Sequence, residues 1–322
     1  MKLFNKKVYE EASDENKELL DDYMLELEVQ GKAEKSRYQY SADIKGFICY
    51  LKENKSDKYI LDLKRKDFRN FFLVMSRGGT SAARINRFQS SLRNFLEYAV
   101  ISDDYDYEIN EMAHIKGVTK DPVRDIVFLT DNQVNILLDY LVRRKQYQKA
   151  LYVSLSYDSG GRRNEVLQVQ KEGFVENHQT NEVIGKRGKH FSLIYFDRTR
   201  EIAKLWLEKR GEDDVDGLWI THHNGETYPL TYDSFYQWCT TFRKILKKTT
   251  GEDIEVSPHS FRHSAFENYT QGNHHALKEL GKTELPLDIV QLIAHHSNIS
   301  TTQSYLQNHD DEKLESALGI KL

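Results

Sequence analysis

The sequence predicts a mostly α-helical protein of two domains, with a small β-hairpin in the second. Three observations carry that expectation. Apolar residues recur at helical spacing through most of the first 115 residues. The periodicity lapses over residues 102–127, where acidic residues give way to Gly117 and Pro122. In the second half, residues 182–196, EVIGKRGKHFSLIYF, set two β-prone segments on either side of a Gly-Lys-Arg-Gly turn. The domain limits that follow are 1–115, a linker at 116–128, and 129–322.

Each helix has its own signal. NKELLDDYMLELEVQ places Leu19, Leu20, Tyr23, Met24 and Leu27 on one face. SRYQYSADIKGFICYLKEN does the same with Tyr40, Ile44, Phe47, Ile48 and Leu51. DFRNFFLVMSR reads as a third helix starting at Asp67 and ended by Gly78 and Gly79. TSAARINRFQSSLRNFLEYAV is a fourth, capped by Thr80 or Ser81. Its apolar face is Ile85, Phe88, Leu92, Phe95 and Leu96, with Arg84, Arg87 and Arg93 on its other faces. In the second half, Thr130 caps LTDNQVNILLDYL, KALYVSLSYDSG ends at Gly160 and Gly161, and RRNEVLQVQ begins another helix. Helices return after the hairpin with TREIAKLWLEK and SFYQWCTTFRKILKK, and Pro258 after Ser257 marks the first turn of SPHSFRHSAF.

Composition narrows the class. At 322 residues, 39% hydrophobic and 30% charged, the chain buries a core without needing disulfides or metals. Its two cysteines, Cys49 and Cys239, form no CxxC pair, which argues against a disulfide framework or a cysteine zinc site and fits a reducing cytoplasm. No apolar run of eighteen residues and no apolar leader occur, so a cytoplasmic protein that stays out of membranes is expected.

Net charge is −4, which taken alone argues against a nucleic-acid binder. The distribution points the other way. Residues 32–93 carry 15 Lys/Arg against 6 Asp/Glu, net +9, between segments 1–31 (net −5) and 94–120 (net −4). Phosphate contacts would use such a block, through Lys35, Arg37, Lys64, Arg65, Lys66, Arg84, Arg87 and Arg93. A solvated lysine-rich surface has the same composition, and charge alone leaves both readings open.

Chemistry concentrates in the second half. His259 and Arg262 are three apart on one helix face and can aim at one anionic group. Arg162 follows two glycines, with Glu165 three residues on; Lys186 lies in the hairpin tip; His296 precedes Tyr305 by nine residues. In this order the sequence resembles the tyrosine recombinases, or phage-type integrases. SGGRRNEVLQV is similar to that family's first arginine motif through Arg162, and EVIGKRGKHFSLIYF to its hairpin lysine segment through Lys186. SPHSFRHSAF is similar to its His-x-x-Arg box through His259 and Arg262. AHHSNISTTQSYLQ is similar to its histidine-to-tyrosine segment through His296 and Tyr305. The first half is similar to its helical core-binding domain, so the resemblance runs from about residue 15 to 310.

The resemblance implies a two-domain clamp on double-stranded DNA that cuts and rejoins it without metal or other cofactor, working as a dimer or tetramer, with accessory proteins in some systems. Tyr305 would attack to form a 3′-phosphotyrosine. Arg162 and Arg262 would clamp the phosphate, Lys186 would protonate the leaving oxygen, and His259 and His296 would handle the tyrosine proton. Glu165 would orient Arg162 or a neighbour, while Arg187 and Lys189 would contact DNA beside the hairpin. The tail 306–322 would reach a neighbouring subunit. A DNA-binding regulator on the same fold, and a type IB topoisomerase-like relaxase, are the competing functions.

Three features depart from the family pattern. Arg163 and Gly161 stand where apolar residues are usual, and Arg162 is preferred over Arg163 because it puts Glu165 in register. The segment QGNHHALKELGKTELPLD is longer than in compact members by about three helical turns. The histidine pairs 222–223, 274–275 and 295–296 are not expected to bind metal, because neighbours on a helix point about 100° apart. His263 reads as a packed or surface residue.

Overall fold

In the computed structural model, which describes residues 3–119, 126–174 and 178–306 and leaves the Arg187 side chain undescribed, the chain divides into two compact units, Met1–Arg124 and Asp125–Leu322. The first is helical: α1 (Lys6–Glu10), α2 (Asp14–Val29), α3 (Glu34–Asn54), α4 (Arg65–Arg77) and α5 (Ala82–Ile101). The apolar stripes named above meet as one core, in which Phe47, Phe68, Phe71, Phe88 and Phe95 are all essentially inaccessible. Ser81, not Thr80, caps α5, its hydroxyl accepting from the Arg84 N–H. The third helix begins at Arg65 rather than Asp67. Asp67 sits one turn in, and its carboxylate accepts from the Lys64 N–H at 3.1 Å, satisfying a donor that the helix start leaves open.

Val118 is held in the first unit through its N–H and C=O, both bonded to the Asn86 side chain, and Leu129 is buried in the second core. Residues 120–125 lie outside the described ones.

The second unit is built around two buried helices. It contains α6 (Asp131–Arg143), α7 (Tyr147–Ser159), α8 (Arg163–Leu167), β1 (Gln179–Ile184), β2 (His190–Ile194), α9 (Asp197–Arg210), β3 (Ile220–His223), β4 (Glu226–Pro229), α10 (Ser234–Thr250), α11 (Pro258–Thr270), α12 (Ala276–Glu279), α13 (Leu287–Ile293) and α14 (Ile299–Gln303). Every residue of α7 from Ala150 to Ser159 is buried, as is most of α11, so neither shows a one-sided stripe. Several of the polar groups this buries are paired. Ser154 and Thr199 share a 2.6 Å hydrogen bond, and Asp158 Oδ2 accepts from the Thr199 hydroxyl and the Phe196 N–H.

The predicted hairpin forms, antiparallel with Val183 opposite Phe191, and its turn is a single 3-10 turn, Lys186–Gly188. A second hairpin, β3–β4, goes unread in the sequence although Asn224-Gly225 supplies the two positive-φ residues a tight turn needs. Its strands, ITHH and ETYP, are short and lack clean alternation. RRNEVLQVQ yields only the five-residue α8.

The long segment after α11 packs on this unit. His274 is stacked between Tyr157 and Tyr269, with centroids at 4.2 and 3.9 Å, and His275 Nε2 lies 2.6 Å from Asp158 Oδ1. His274, His275 and Asp158 therefore converge, contrary to the expectation for neighbouring histidines, because the pair precedes α12 rather than lying within a helix. Both ring nitrogens of His274 are already engaged, one with Tyr157 O and one accepting from the Ala276 N–H, so its part here is structural. No helix among the described residues is long and apolar enough to cross a membrane.

The arginines of α5 divide into two kinds. Arg93 donates to the carbonyls of Met112 and Ile115, pinning the chain that follows α5. Arg87 forks onto the buried Asp43 through Nε and Nη2, at 3.2 and 2.9 Å. Arg84 is exposed. Arg87→Ala, which leaves Asp43 buried without its cation, is expected to cost about 2–3 kcal/mol in urea unfolding. Arg84→Ala is expected to stay within about 0.5 kcal/mol of the parent.

Candidate active site

The site begins at a helix end that only glycine can make. After α7 the chain turns at Gly160 with φ +57, and a Cβ there would lie 2.4 Å from the Phe266 ring. This turn brings Arg162 to the head of α8. Its backbone N–H donates to Glu165 Oε2 at 2.7 Å and its Nη1 donates to Glu165 Oε1 at 2.9 Å. Glu165 is buried, so one carboxylate fixes both the backbone and the head group of Arg162. Arg163 turns elsewhere, its guanidinium lying 3.3 Å from the ring centroid of Tyr232 and 4.1 Å from that of Tyr236. That cation–π seat explains how a charge is carried where an apolar residue was expected.

Arg262, on the first turns of α11, is only 1% exposed. Its Nη1 donates to Gly160 O; its Nη2 donates to Ala294 O at 3.1 Å and to His296 Nε2 at 2.6 Å. Its Nε is buried and has no hydrogen-bond partner. Burial, and after it the charge of Arg162, lowers its pKa to about 10, which leaves it cationic at neutral pH. The Tyr305 ring lies 5.0 Å from the Arg262 guanidinium and 5.3 Å from the His296 ring.

His296 has a defined tautomer. Nε2 accepts from Arg262, so the proton is on Nδ1, which donates to Thr302 Oγ1 at 2.9 Å. Burial and then the charges of Arg262 and Arg162 hold its pKa at about 3. Its neighbour His295 adopts φ +52 and stacks on Phe191 of β2 at 3.7 Å, tying this segment to the hairpin. Burial and then the charge of Lys189 lower the His295 pKa.

The other expected residues are placed less tightly. His259 is exposed on the first turn of α11; desolvation of its ring, then the charges of Arg262, Arg163 and Arg162, lower its pKa. Lys186 stands exposed in the hairpin turn, and the hairpin lysine whose charge reaches His295 and His296 is Lys189. So Arg162, Glu165, Arg262, His296 and Tyr305 are drawn into one cluster with His259 at its rim. His263 belongs to it too, its ring stacked on Tyr305; nothing in its surroundings in the sequence marks it out.

A second set of charges lies on the first unit. Arg84, Arg87 and Lys45 line a surface groove between α3 and α5, and Lys35 lies with Arg87 along its continuation. Arg37 is paired with Glu28, and Lys64 and Arg65 each approach Glu111 at 4.0 Å, while Lys66 is exposed.

The phage integrase family model matches residues 127–312, and the integrase N-terminal SAM-like domain model matches residues 20–102. The chain belongs to the phage integrase family. It is 25% identical over 331 residues to the SPbeta prophage-derived recombinase-like protein YomM of Bacillus subtilis, covering 97% of this chain and 93% of that protein. It is 24% identical to a tyrosine recombinase of Thermosipho africanus, covering 93% and 97%. Among solved structures its fold matches the Tn1549 transposon integrase bound to circular intermediate DNA, with TM-score 0.67 at 17% identity over 93% of this chain and 98% of that one. It also matches the XerH site-specific recombinase on its difH substrate, with TM-score 0.67 at 18% identity over 88% and 79%.

The histidine chemistry of this integrase-family site has a pH signature. In the unfolded chain His296 takes up a proton near the ordinary value of 6.5, but in the fold it does not do so until about pH 3. Lowering the pH through that window therefore favours unfolding, by up to about 1.4 kcal/mol per pH unit from this one residue. His296→Gln is expected to flatten the stability–pH slope below pH 6.5 by about 1 kcal/mol per unit relative to the parent, measured by urea unfolding from pH 7 to 4.5.

Proposed function

We propose that the protein is a site-specific recombinase that cuts and rejoins double-stranded DNA of a phage or other mobile element through Tyr305. The observation that carries this reading is the Tyr305 ring set against the buried Arg262 guanidinium and neutral His296, beside the Glu165-anchored Arg162. Such a cluster gives the phenol an anion to attack. The tyrosine oxygen bonds to phosphorus, the bond from phosphorus to the 5′-oxygen breaks, and the 3′-phosphate remains on Tyr305. Arg162 and the unmet Nε of Arg262 hold the non-bridging oxygens. Neutral His259 takes the phenol proton, His296 holds the Arg262 guanidinium in place through Nε2, and Lys186 on the hairpin protonates the leaving oxygen. Rejoining reverses these steps with a new 5′-hydroxyl, and needs no external energy source.

The groove lined by Lys35, Lys45 and Arg84 serves as the phosphate-backbone contact of the first unit, with Lys66, Arg187 and Lys189 adding charge elsewhere. The YomM and Tn1549 likenesses support a mobile-element setting, and the lambda integrase dimer bound to a core site, a fold neighbour, supports assembly of more than one copy on DNA. A protein that works on such DNA acts in the cytoplasm, at the nucleoid.

The decisive experiment offers the protein a nicked or phosphorothiolate-bearing DNA site. A covalent protein–DNA adduct is expected, abolished by Tyr305→Phe with binding retained. Tight footprinting with no adduct on any bound site sinks the recombinase and leaves a DNA-binding regulator. Charge reversal of Arg84 together with Lys35 is expected to weaken binding about equally on all sequences and to reduce the salt slope by about 1–2, read from affinities across a salt series. Arg87 is omitted because its replacement would unpair Asp43.

A further inference from the structure

We propose that His263 is a positioning residue for Tyr305, clamping the tyrosine by its backbone and by its ring. His263 follows Arg262 on α11 and is half-buried. Its Nδ1 lies 3.2 Å from the Tyr305 carbonyl oxygen, and its ring stacks on the phenol at 4.5 Å with an interplanar angle of 30°. A carbonyl oxygen only accepts, so Nδ1 carries a proton and donates it. Two further rings pack on the pair: Phe266 meets the phenol edge-on at 5.7 Å, and Phe128 meets the His263 ring edge-on at 5.9 Å.

The two contacts do different things. The hydrogen bond fixes where the chain leaves α14, because the Tyr305 N–H is itself bound to Thr302 O at 2.9 Å. The stack fixes the plane of the phenol, and with it the direction of the hydroxyl. Arg262 and His263 are adjacent in sequence, so one turn of α11 holds both the cation for the phosphate and the clamp for the nucleophile. A shift in either would be felt as a shift in their separation. In-line attack is sensitive to such shifts: a misplacement of about 1 Å costs on the order of a hundredfold in rate. The clamp touches Tyr305 but not the reacting phosphate, so His263 acts through the tyrosine.

The inference rests on Tyr305 being the nucleophile, and the test separates the two. In the full-length protein, His263→Ala is expected to slow the first-order formation of the covalent DNA adduct by about tenfold or more, with DNA affinity within about twofold of the parent. His263→Asn, which keeps an N–H donor near the place of Nδ1 but has no ring to stack, is expected to recover part of that loss. An unchanged rate in His263→Ala, or affinity and thermal midpoint falling in step with rate in both variants, overturns the proposal. The second readout needs no cleavage. In DNA-free protein labelled in its tyrosine rings, the Tyr305 resonance, identified by its absence in Tyr305→Phe, is expected upfield of the unstacked position and to move toward it in His263→Ala. A Tyr305 resonance that does not move in His263→Ala overturns the clamp whether or not the parent forms an adduct. A parent that forms no adduct on any bound site refutes the nucleophile reading instead.

Discussion

The buried fork of Arg262 is the interaction on which the second unit's site depends. A guanidinium removed from water loses several kcal/mol of hydration, and it stays charged only where nearly every proton finds an acceptor. Here the acceptors are Gly160 O, Ala294 O and His296 Nε2, contributed by two segments that are far apart in sequence, one at residue 160 and one at 294–296. Each segment is located by the same side chain. Gly160 can approach because it has no Cβ to strike Phe266, and His296 can accept because it is neutral. Nε is buried as well and is left without a hydrogen-bond partner.

Much of this was legible in the sequence. Helical spacing located the elements of the first unit, where one face of each helix is wet, and the Gly-Lys-Arg-Gly turn located the first hairpin. The order of Arg162, Lys186, His259, Arg262, His296 and Tyr305 pointed to the family. What escaped reading has physical causes. Helices α7 and α11 are buried on all sides, so periodicity says little about which side chain meets which. The start of α4 was misplaced because a carboxylate at the third helical position and one at the cap look alike in sequence. His263 was passed over because its partner is a main-chain carbonyl 42 residues away, which leaves no trace in residue type. Likewise nothing in the string RR tells that Arg162 meets a carboxylate while Arg163 lies between two tyrosine rings; only the path of α8 decides it.

The basic stretch of the first unit illustrates why charge counts need structure. Its net charge of +9 treats fifteen cations as equal. Arg93 is occupied with main-chain carbonyls and Arg87 with Asp43, and both serve the fold before anything else. The positive groove thus holds fewer free cations than the composition suggests, and one of its lining arginines, Arg87, is partly neutralised by Asp43. A surface of this kind attracts a polyanion over a distance set by salt, yet is held rigid by pairs that salt screens much less.

The segment after α11 has a design consequence. It is moored at one end by the His274 stack and the His275–Asp158 contact, and at the other by the buried Leu285, whose N–H reaches Tyr269 O. Between these moorings, residues 278–284 are all exposed, and the chain turns at Gly281 with φ +62. An engineer wishing to attach a fluorophore or an affinity tag without touching the chemistry has an address there. The spliced residues would hang from two anchors that already resist being pulled apart, leaving Arg262 and Tyr305 unaware of the cargo.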